Sequence, residues 1–416
     1  MSGSASKHAS GGKGNKAQKE PTFSENIVCK SVVDFAGVAV LVVRITPDKK
    51  YWVVGLSNGV IKLSPVVDDG VQTVQTLQAE GETEPCVDLE CIPCAEDAPP
   101  EARHQLISVY VSGYVRIWHY AAATPTQRLL TTIREEMMSK TDMEGRPVRE
   151  KKKYNQILAV SCSLDGKRCV TGGDDSHIRV YSLAERVRVG LCASSFGNER
   201  MDGHVRRICA LKYHPRGKED QDYAHVFISG GWDDTIQIWD DRYSHSIWIY
   251  AGPHIAGSDA LDIEPESNQI LSSSWRHDKS LLQVWQFNER VLGDFYSKAV
   301  TNPDGSLSFP YGMTIGGAFN ANKPVVEVAQ QSFQVRSKGY VARWVTPSYI
   351  AFGGSDRNVL RILSRGKDGA IASVTGLPNG VFSLDFMPAH DENLEEGINL
   401  AFAAGTKIYI AHVTPP

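Results

Sequence analysis

The chain has 416 residues and a formal net charge of −4, with 42% hydrophobic and 22% charged residues. This composition supports a sizeable buried core, and the weak acidic charge argues against a general nucleic-acid binder, because phosphate binding needs a concentrated positive field. No apolar run approaches the roughly 18 to 20 residues of a membrane span. The start of the chain also lacks the apolar segment of a secretory signal. We therefore expect a cytoplasmic or nuclear protein, or one found in both compartments, without membrane association.

The first 24 residues are rich in Gly, Ser, Lys and Ala and carry almost no large apolar side chain. Such a segment buries too little apolar surface to fold, so we expect a disordered tail. Residues 25–416 are then expected to form one domain. The stretch 26–35 contains β-forming residues but has no hairpin partner of its own.

Asn58 and Gly59 lie between two apolar strands, and this dipeptide is typical of a tight β-hairpin. The same order of strand, turn and strand returns along the rest of the chain. The predicted units span about residues 38–74, 85–133, 158–182, 203–242, 257–287, 340–363 and 381–413.

Eight cysteines are scattered along the chain, as in a protein of a reducing compartment. Cys91 and Cys94 have the CxxC spacing, but a zinc site usually needs a second pair, and the sequence has none. Cys91 alternates with Asp88 and Glu90 on a predicted strand, which favours a buried core thiol over a metal or redox role. We predict no metal site and no cofactor.

The clearest unit contains residues 227–242, with the sequence FISGGWDDTIQIWDDR. It reads as a hairpin whose turn contains Asp233, and Gly203 and His204 precede the strand before it. The unit resembles a WD repeat, in which a Gly-His pair leads four strands that close near a Trp-Asp pair. In this chain the closing pair is Trp239 and Asp240.

The resemblance implies a buried hydrogen-bond relay that is structural rather than catalytic, formed by His204, Ser229, Asp233 and Trp239. In the preceding unit, Thr171 and Asp175 occupy relay places and Tyr181 stands where Trp is usual. That unit lacks a leading His, so we expect its relay to be incomplete.

The resemblance also implies an all-β fold, a seven-bladed β-propeller of four-stranded antiparallel blades, with eight blades as the less favoured count. We expect an N-terminal strand from residues 26–35 to close the ring by pairing with the C-terminal blade. Two long insertions are predicted, at about 134–153 and 297–338. The first is expected to be a mobile surface loop, with a nuclear import signal at 146–153 as the alternative. The second is expected to pack over the ring or to contain a degenerate blade.

In WD-repeat proteins, partners dock on the face formed by the leading loops and the tight turns. The residues of this chain that match those loops are Arg206, Arg207, Trp232, Trp275, Arg276, His277, Asp174 and Asp259. Trp and Arg are enriched at interface hot spots, and a turn seldom needs a large aromatic for its own geometry. The alternative is that each indole packs over the neighbouring blade.

A second resemblance covers the same 227–242 stretch. Its ending, Trp239, Asp240, Asp241 and Arg242, is similar to the box by which some WD-repeat proteins attach to the linker of cullin-four ubiquitin ligases. This resemblance implies that Asp240 and Arg242 contact the linker, with Arg242 on the outer rim.

Our first hypothesis is therefore a non-enzymatic scaffold that binds a protein or peptide on the central face, as a monomeric propeller within a complex. The second is a substrate receptor of a ubiquitin ligase. A propeller enzyme is a minor third hypothesis, because neither insertion contains a recognisable catalytic constellation and we identify no catalytic residue.

Overall fold

The structure is a computed structural model. It describes residues 20–66, 75–94, 98–99, 103–121, 128–138, 140–141, 147–148, 153–195, 201–278, 280–309, 326–328, 337–366, 369–387 and 397–414.

Most of the described strands belong to seven antiparallel sheets, and the first three strands of each sheet are consecutive in the chain. We number the sheets blades 1 to 7 and name the strands of each blade a to d. Strands a to d of blade 1 are Val40–Ile45, Tyr51–Leu56, Ile61–Pro65 and Gln75–Leu77, and those of blade 2 are Cys86–Cys91, Gln105–Tyr110, Tyr114–His119 and Leu129–Arg134. Blade 3 contains Ile157–Cys162, Arg168–Gly173, Ile178–Ser182 and Val187–Cys192, and blade 4 contains Ile208–Tyr213, Val226–Gly231, Thr235–Asp240 and Trp248–Ala251.

The last three blades take strands from distant parts of the chain. Blade 5 contains Leu261–Glu264, Gln269–Ser273, Leu282–Gln286 and Val326–Val328, and blade 6 contains Lys338–Thr346, Tyr349–Ser355, Val359–Ser364 and Ala370–Thr375. Blade 7 contains Val381–Phe386, Ile398–Ala404, Lys407–Val413 and, as its outer strand, Ile27–Asp34 from the beginning of the chain.

The sheets form a closed ring. Side chains from strand a, or from the turn just before it, in all seven blades line one cavity on the ring axis. Seven hydrophobic clusters lie between the blades, one at each junction from blade 1 to blade 2 around to blade 7 and blade 1. Each sheet is therefore buried on both faces by its neighbours. The predicted seven-bladed β-propeller is confirmed.

Closure of the ring follows the predicted scheme. Ile27–Asp34 pairs antiparallel with Lys407–Val413, with Ile27 opposite Val413 and Asp34 opposite Lys407. The first described strand lies earlier than expected, however, because Thr22–Phe23 pairs with the outer strand of blade 6 and gives that blade a fifth strand. The predicted tail through residue 24 therefore extends too far. Residues 1–19 lie outside the described part.

The first insertion is tied to the ring at its base. Lys140–Thr141 pairs with Pro147–Val148, and Glu136 bridges Tyr154, so the described parts form a short ribbon rather than a loose loop. Most of the candidate import signal at 146–153 lies outside the described residues.

The second insertion contributes to blade 5 and contains no additional blade among its described residues. Helix α1, Glu289–Lys298, leads into it, a hairpin of Val300–Thr301 with Leu307–Ser308 follows, and the insertion then returns as strand d of blade 5. Asn288 caps α1 by accepting a hydrogen bond from the Val291 amide. Phe295 of α1 is buried in the cluster between blades 4 and 5.

Short 3-10 helices occur at Pro215–Lys218, Gln221–Tyr223 and Ser258–Ala260. Within the described residues, no helix combines the length and the apolar character needed to cross a membrane.

Candidate partner-binding face

Blade 4 contains a continuous chain of buried hydrogen bonds. The Trp239 indole N–H donates to Ser229 Oγ at 2.7 Å, and Ser229 Oγ lies 2.6 Å from His204 Nε2. His204 Nδ1 lies 2.9 Å from Asp233, and because a carboxylate only accepts, this nitrogen carries the proton. Burial would raise the pKa of Asp233, but His204 and the Val205 and Thr235 donors hold it below its ordinary value. The four side chains therefore tie the loop before strand a to strands b and c.

Blade 3 forms a different relay. The sequence assigned Thr171 and Asp175 to relay positions and predicted that the relay lacks its leading member. Thr171 donates to Glu135, which lies in the loop before strand a. The Tyr181 hydroxyl donates to Glu135 at 3.0 Å, and Arg179 Nη1 lies 3.2 Å from it. Asp175 accepts from the other end of the Arg179 guanidinium at 2.6 Å. The expectation of an incomplete relay is therefore wrong, because a carboxylate occupies the place of the imidazole.

Blade 2 repeats this substitution. Arg116 Nη1 donates to Glu82 at 2.6 Å, and Trp118 donates to Ser108 at 2.8 Å. Arg116 and Arg179 occupy the position of Gln237, each two residues before the ring of its own strand c. In blades 2 and 3, a Glu in the loop before strand a therefore pairs with an Arg on strand c. In blade 4, His204 occupies that loop position and Gln237 the strand position.

A family model described as WD domain, G-beta repeat matches residues 145–182 and 197–240. These matches cover the first three strands of blades 3 and 4, and the seven-bladed ring extends the same arrangement around the axis. Blades 3 and 4 are WD repeats within a seven-bladed β-propeller. Propellers of this family are typically protein-interaction scaffolds and generally lack enzymatic activity.

In this WD-repeat propeller, the loops from strand d to the next strand a and the turns from b to c lie at the same end of the strands. We call this end the relay face and the other end the opposite face. Seven of the eight predicted partner-binding residues lie in relay-face loops of blades 3 to 5 and remain at least partly exposed; they are Asp174, Arg206, Arg207, Trp232, Trp275, Arg276 and His277.

Aromatic rings form a ladder across the relay face. The Trp232 ring lies 5.5 Å from His254, and His254 lies 5.9 Å from Trp275. The Trp275 indole N–H donates to the Tyr340 hydroxyl at 2.8 Å, and Tyr340 packs edge-on against Phe382 at 4.8 Å. This aromatic ladder links blades 4, 5, 6 and 7. Trp232 keeps 39% of its surface exposed, so packing on the next blade covers only part of the indole.

Cations hold both indoles in place. The Arg207 guanidinium lies 4.3 Å from the Trp232 ring and pairs with Asp174 at 2.8 Å. Lys338 lies 4.3 Å from the Trp275 ring. Cation–π contacts of this kind contribute about 0.5–1 kcal/mol at exposed sites. The ladder is therefore a preformed surface rather than a set of loose side chains.

Asp259 is a correction to the predicted face. It is only 2% exposed and lies in the central channel, where Arg44 pairs with it at 2.8 Å and the Ser383 hydroxyl donates at 2.6 Å. The Leu384 amide also donates to it at 3.2 Å. Asp259 therefore connects blades 1, 5 and 7 and presents no surface to a partner.

The channel cavity has a volume of about 200 Å³ and is lined by charged side chains. Arg44 bridges Asp259 to Asp88, which lies 3.0 Å away on blade 2. Burial would raise the pKa of Asp259, but Arg44 and Arg343 bring it below its ordinary value. Burial dominates at Asp88 and raises its pKa to about 7, although Arg44 opposes the shift. The two carboxylates that share Arg44 therefore differ in how readily they bind a proton.

The titration of Asp88 gives a prediction. Its pKa is about 7 in the folded protein against 3.8 ordinarily, so between these values the folded state binds a proton that the unfolded chain has lost. The stability contributed by Asp88 therefore falls as the pH rises towards 7 and is lowest above it. We expect the free energy of unfolding of Asp88→Asn, minus that of wild type, to increase by about 2–3 kcal/mol between pH 5 and pH 8.5, because only wild type loses stability over this range.

Urea unfolding across that pH range measures the effect. The exposed Glu84→Gln variant is the control and should follow the wild-type curve at each pH. A constant difference between Asp88→Asn and wild type would contradict the prediction.

Asp240 and Arg242 lie at the end of strand c, towards the opposite face. Arg242 forms a two-pronged pair with Asp240, at 2.9 and 2.7 Å, and the Tyr296 hydroxyl of α1 donates to Asp240 at 2.7 Å. Asp240 is fully buried, and the Arg242 side chain is 27% exposed. Only Arg242 of this pair therefore offers surface for a contact.

The cysteine thiols do not form a reactive or metal-binding site among the described residues. Cys91 lines the channel, and burial raises the pKa of its thiol well above the ordinary value, which keeps it protonated. All eight cysteines are free.

His225, Asp240 and Asp241 lie close together, but Arg168 binds Asp241 at 2.6 Å, as Arg242 binds Asp240. These carboxylates already have cationic partners.

Proposed function

We propose that this WD-repeat propeller is a non-enzymatic scaffold that binds a protein or peptide partner on the relay face. The observation that carries the proposal is the aromatic ladder, which begins at the exposed Trp232 and continues across four blades. Rigid aromatic side chains give large contact area with little loss of conformational entropy on binding. Their hydrogen bonds and cation contacts fix them before a partner arrives.

Affinity capture from cells, with wild type beside Trp232→Ala, tests this proposal. We expect the variant to lose relay-face partners by roughly tenfold or more, because truncating a hot-spot aromatic costs about 2 kcal/mol or more. Val189→Ala removes an exposed apolar side chain from the outer strand of blade 3 and is the control. Thermal unfolding of each variant verifies that the ring is intact. If Trp232→Ala and Val189→Ala retain the same partners as wild type, the proposal fails.

The second candidate is a substrate receptor attached to a ubiquitin-ligase linker through Arg242. It is supported by the placement of Arg242 on the face opposite the aromatic ladder, which would leave the relay face available for a substrate. The Asp240 carboxylate fixes the orientation of the guanidinium. Against it, Tyr296 of α1 contacts the same Asp240, so a linker would have to dock beside the helix.

Arg242→Ala in the same capture experiment separates the two candidates. Loss of a ligase linker with Arg242→Ala, while Trp232→Ala still retains it, would favour the substrate receptor. Loss of partners with Trp232→Ala, and no linker in any sample, would favour the scaffold.

A further inference from the structure

Two of the large exposed hydrophobic residues in the described chain lie in adjoining loops of the relay face. Val205 is 42% exposed and Trp232 39%. Their loops are joined, because the Val205 amide donates to Asp233 at 3.0 Å and the Trp232 amide donates to the Arg207 carbonyl at 3.0 Å. We call Val205 and Trp232 the apolar patch. The other exposed large hydrophobics lie on outer strands or on the insertion hairpin, and they are Val28, Val32, Val187, Val189 and Val300.

An available cation adjoins the apolar patch. Arg206 is exposed and follows Val205 directly, and no carboxylate of the described residues lies within ion-pair distance of it. Its neighbour Arg207 is already used, since it stacks on Trp232 and pairs with Asp174. Arg206 can therefore receive a carboxylate from outside the molecule.

The carboxylates around the patch already have basic partners on the same face. Asp234 binds His254 and Arg276, at 2.6 and 3.3 Å. Asp356 lies 3.2 Å from His277 and 3.9 Å from Lys338. A basic ligand would have to displace these internal partners, whereas an acidic ligand meets Arg206 directly. The available charge beside the apolar patch is therefore positive, whereas the whole chain has a net charge of −4.

We propose that the partner of the relay face presents an acidic segment with an apolar anchor. The anchor side chain packs on Val205 and Trp232, and a carboxylate one or two residues away pairs with Arg206. This assignment rests on the proposed relay-face function and adds the chemistry of the partner. A peptide fits better than a nucleic acid, because Arg206 stands beside an aliphatic side chain and the other described arginines of this face are spread over separate blades rather than along a basic groove.

A display library of random 12-residue peptides, selected on the full-length protein, tests the assignment. We expect the enriched peptides to carry a large apolar residue within two positions of Asp or Glu. A synthetic copy of one enriched peptide should bind at least tenfold more tightly than its counterpart with Lys in place of the acidic residues. Its affinity should also fall when NaCl is raised from 50 to 500 mM, because exposed charges are screened.

Two arginine variants make the experiment specific. Arg206→Glu should weaken the acidic peptide by about tenfold, because attraction becomes repulsion at the rim of the site. Arg357→Glu reverses an exposed arginine on the blade 6 turn of the same face and should change the affinity less than twofold. Equal effects of the two variants would overturn the assignment, because they would indicate general electrostatics.

The failure of this assignment differs from the failure of the proposed function. If Trp232→Ala abolishes binding of the enriched peptides but these are neutral or basic, the relay face stands and the acidic partner is wrong. If no peptide is enriched, or binding is indifferent to Trp232→Ala, both fall. Tighter retention of a single-stranded 12-nucleotide probe than of any enriched peptide would overturn the peptide assignment.

Discussion

Replacing Glu135 by alanine should lower the free energy of unfolding by about 3–5 kcal/mol, the range expected when one member of a buried ion pair is removed. Glu135 is 2% exposed and accepts hydrogen bonds from Thr171, Tyr181 and Asn155 in addition to its pairing with Arg179. The variant would leave these donors without their acceptor. It would also leave the 1%-exposed Arg179 with Asp175 as its only carboxylate partner in the described structure.

Urea unfolding followed by intrinsic fluorescence measures this loss. Glu136→Ala is the matched control, because Glu136 is the exposed neighbour and its contact with Arg179 is through the backbone carbonyl. The control should remain within about 0.5 kcal/mol of wild type. A similar small change for Glu135→Ala would mean that Asp175 alone satisfies Arg179.

A double replacement tests the exchange between the two kinds of relay. Glu135→His with Arg179→Gln reproduces the combination of His204 before strand a and Gln237 on strand c that blade 4 contains. This double variant should recover part of the stability lost in Glu135→Ala, because it removes the buried arginine that lacks Glu135 and supplies an imidazole that can donate to Asp175, as His204 does to Asp233.

The sequence predicted the blades well where each blade is a local meander. Adjacent strands joined by short turns leave one arrangement for the hydrogen bonds, and Asn58 with Gly59 identifies such a turn. It also predicted the closing strand, because an unpaired β segment at one end of the chain matched an open edge at the other. Strand d of blade 5 was missed because α1 and a hairpin separate it from strand c.

The Glu residues of the relays in blades 2 and 3 were not predicted, because the family pattern has a histidine at that position. A signal was present in strand c, where Arg116 and Arg179 stand two residues before Trp118 and Tyr181, at a position buried by the blade pattern. A buried arginine needs an acidic partner, and the loop before the blade is the nearest source. Glu135 is an acid in that loop and so matches this requirement.

The sequence predicted which loops form the relay face, but not the side-chain contacts that join these loops. Trp232 and Trp275 stand at equivalent turn positions of neighbouring blades, which the repeat reveals. His254 and Tyr340, which join them, lie in segments without a repeat signature. Contacts between side chains of different blades depend on the geometry of the ring, which the sequence pattern of a single blade does not reveal.

Asp259 in the channel is the clearest case of a contact between blades that the sequence does not predict. Its position in the loop between blades 4 and 5 suggested a partner contact, yet Arg44, which lies 215 residues away in sequence, binds it from blade 1. Arg343 from blade 6 approaches the same carboxylate at 3.6 Å. Asp259 therefore belongs to a network that holds several blades at the axis.

Asp259→Ala should accordingly reduce stability by about 3–5 kcal/mol, because it leaves the channel arginines short of a carboxylate and removes the acceptor for the Leu384 amide. Asp278→Ala, on the exposed turn of blade 5, is the control and should stay within about 0.5 kcal/mol of wild type. The urea midpoint of each variant measures the change, and partner binding is then compared at temperatures where both are folded. Folded Asp259→Ala should bind relay-face partners as wild type does. Unchanged stability combined with lost binding would instead return Asp259 to the partner-binding residues.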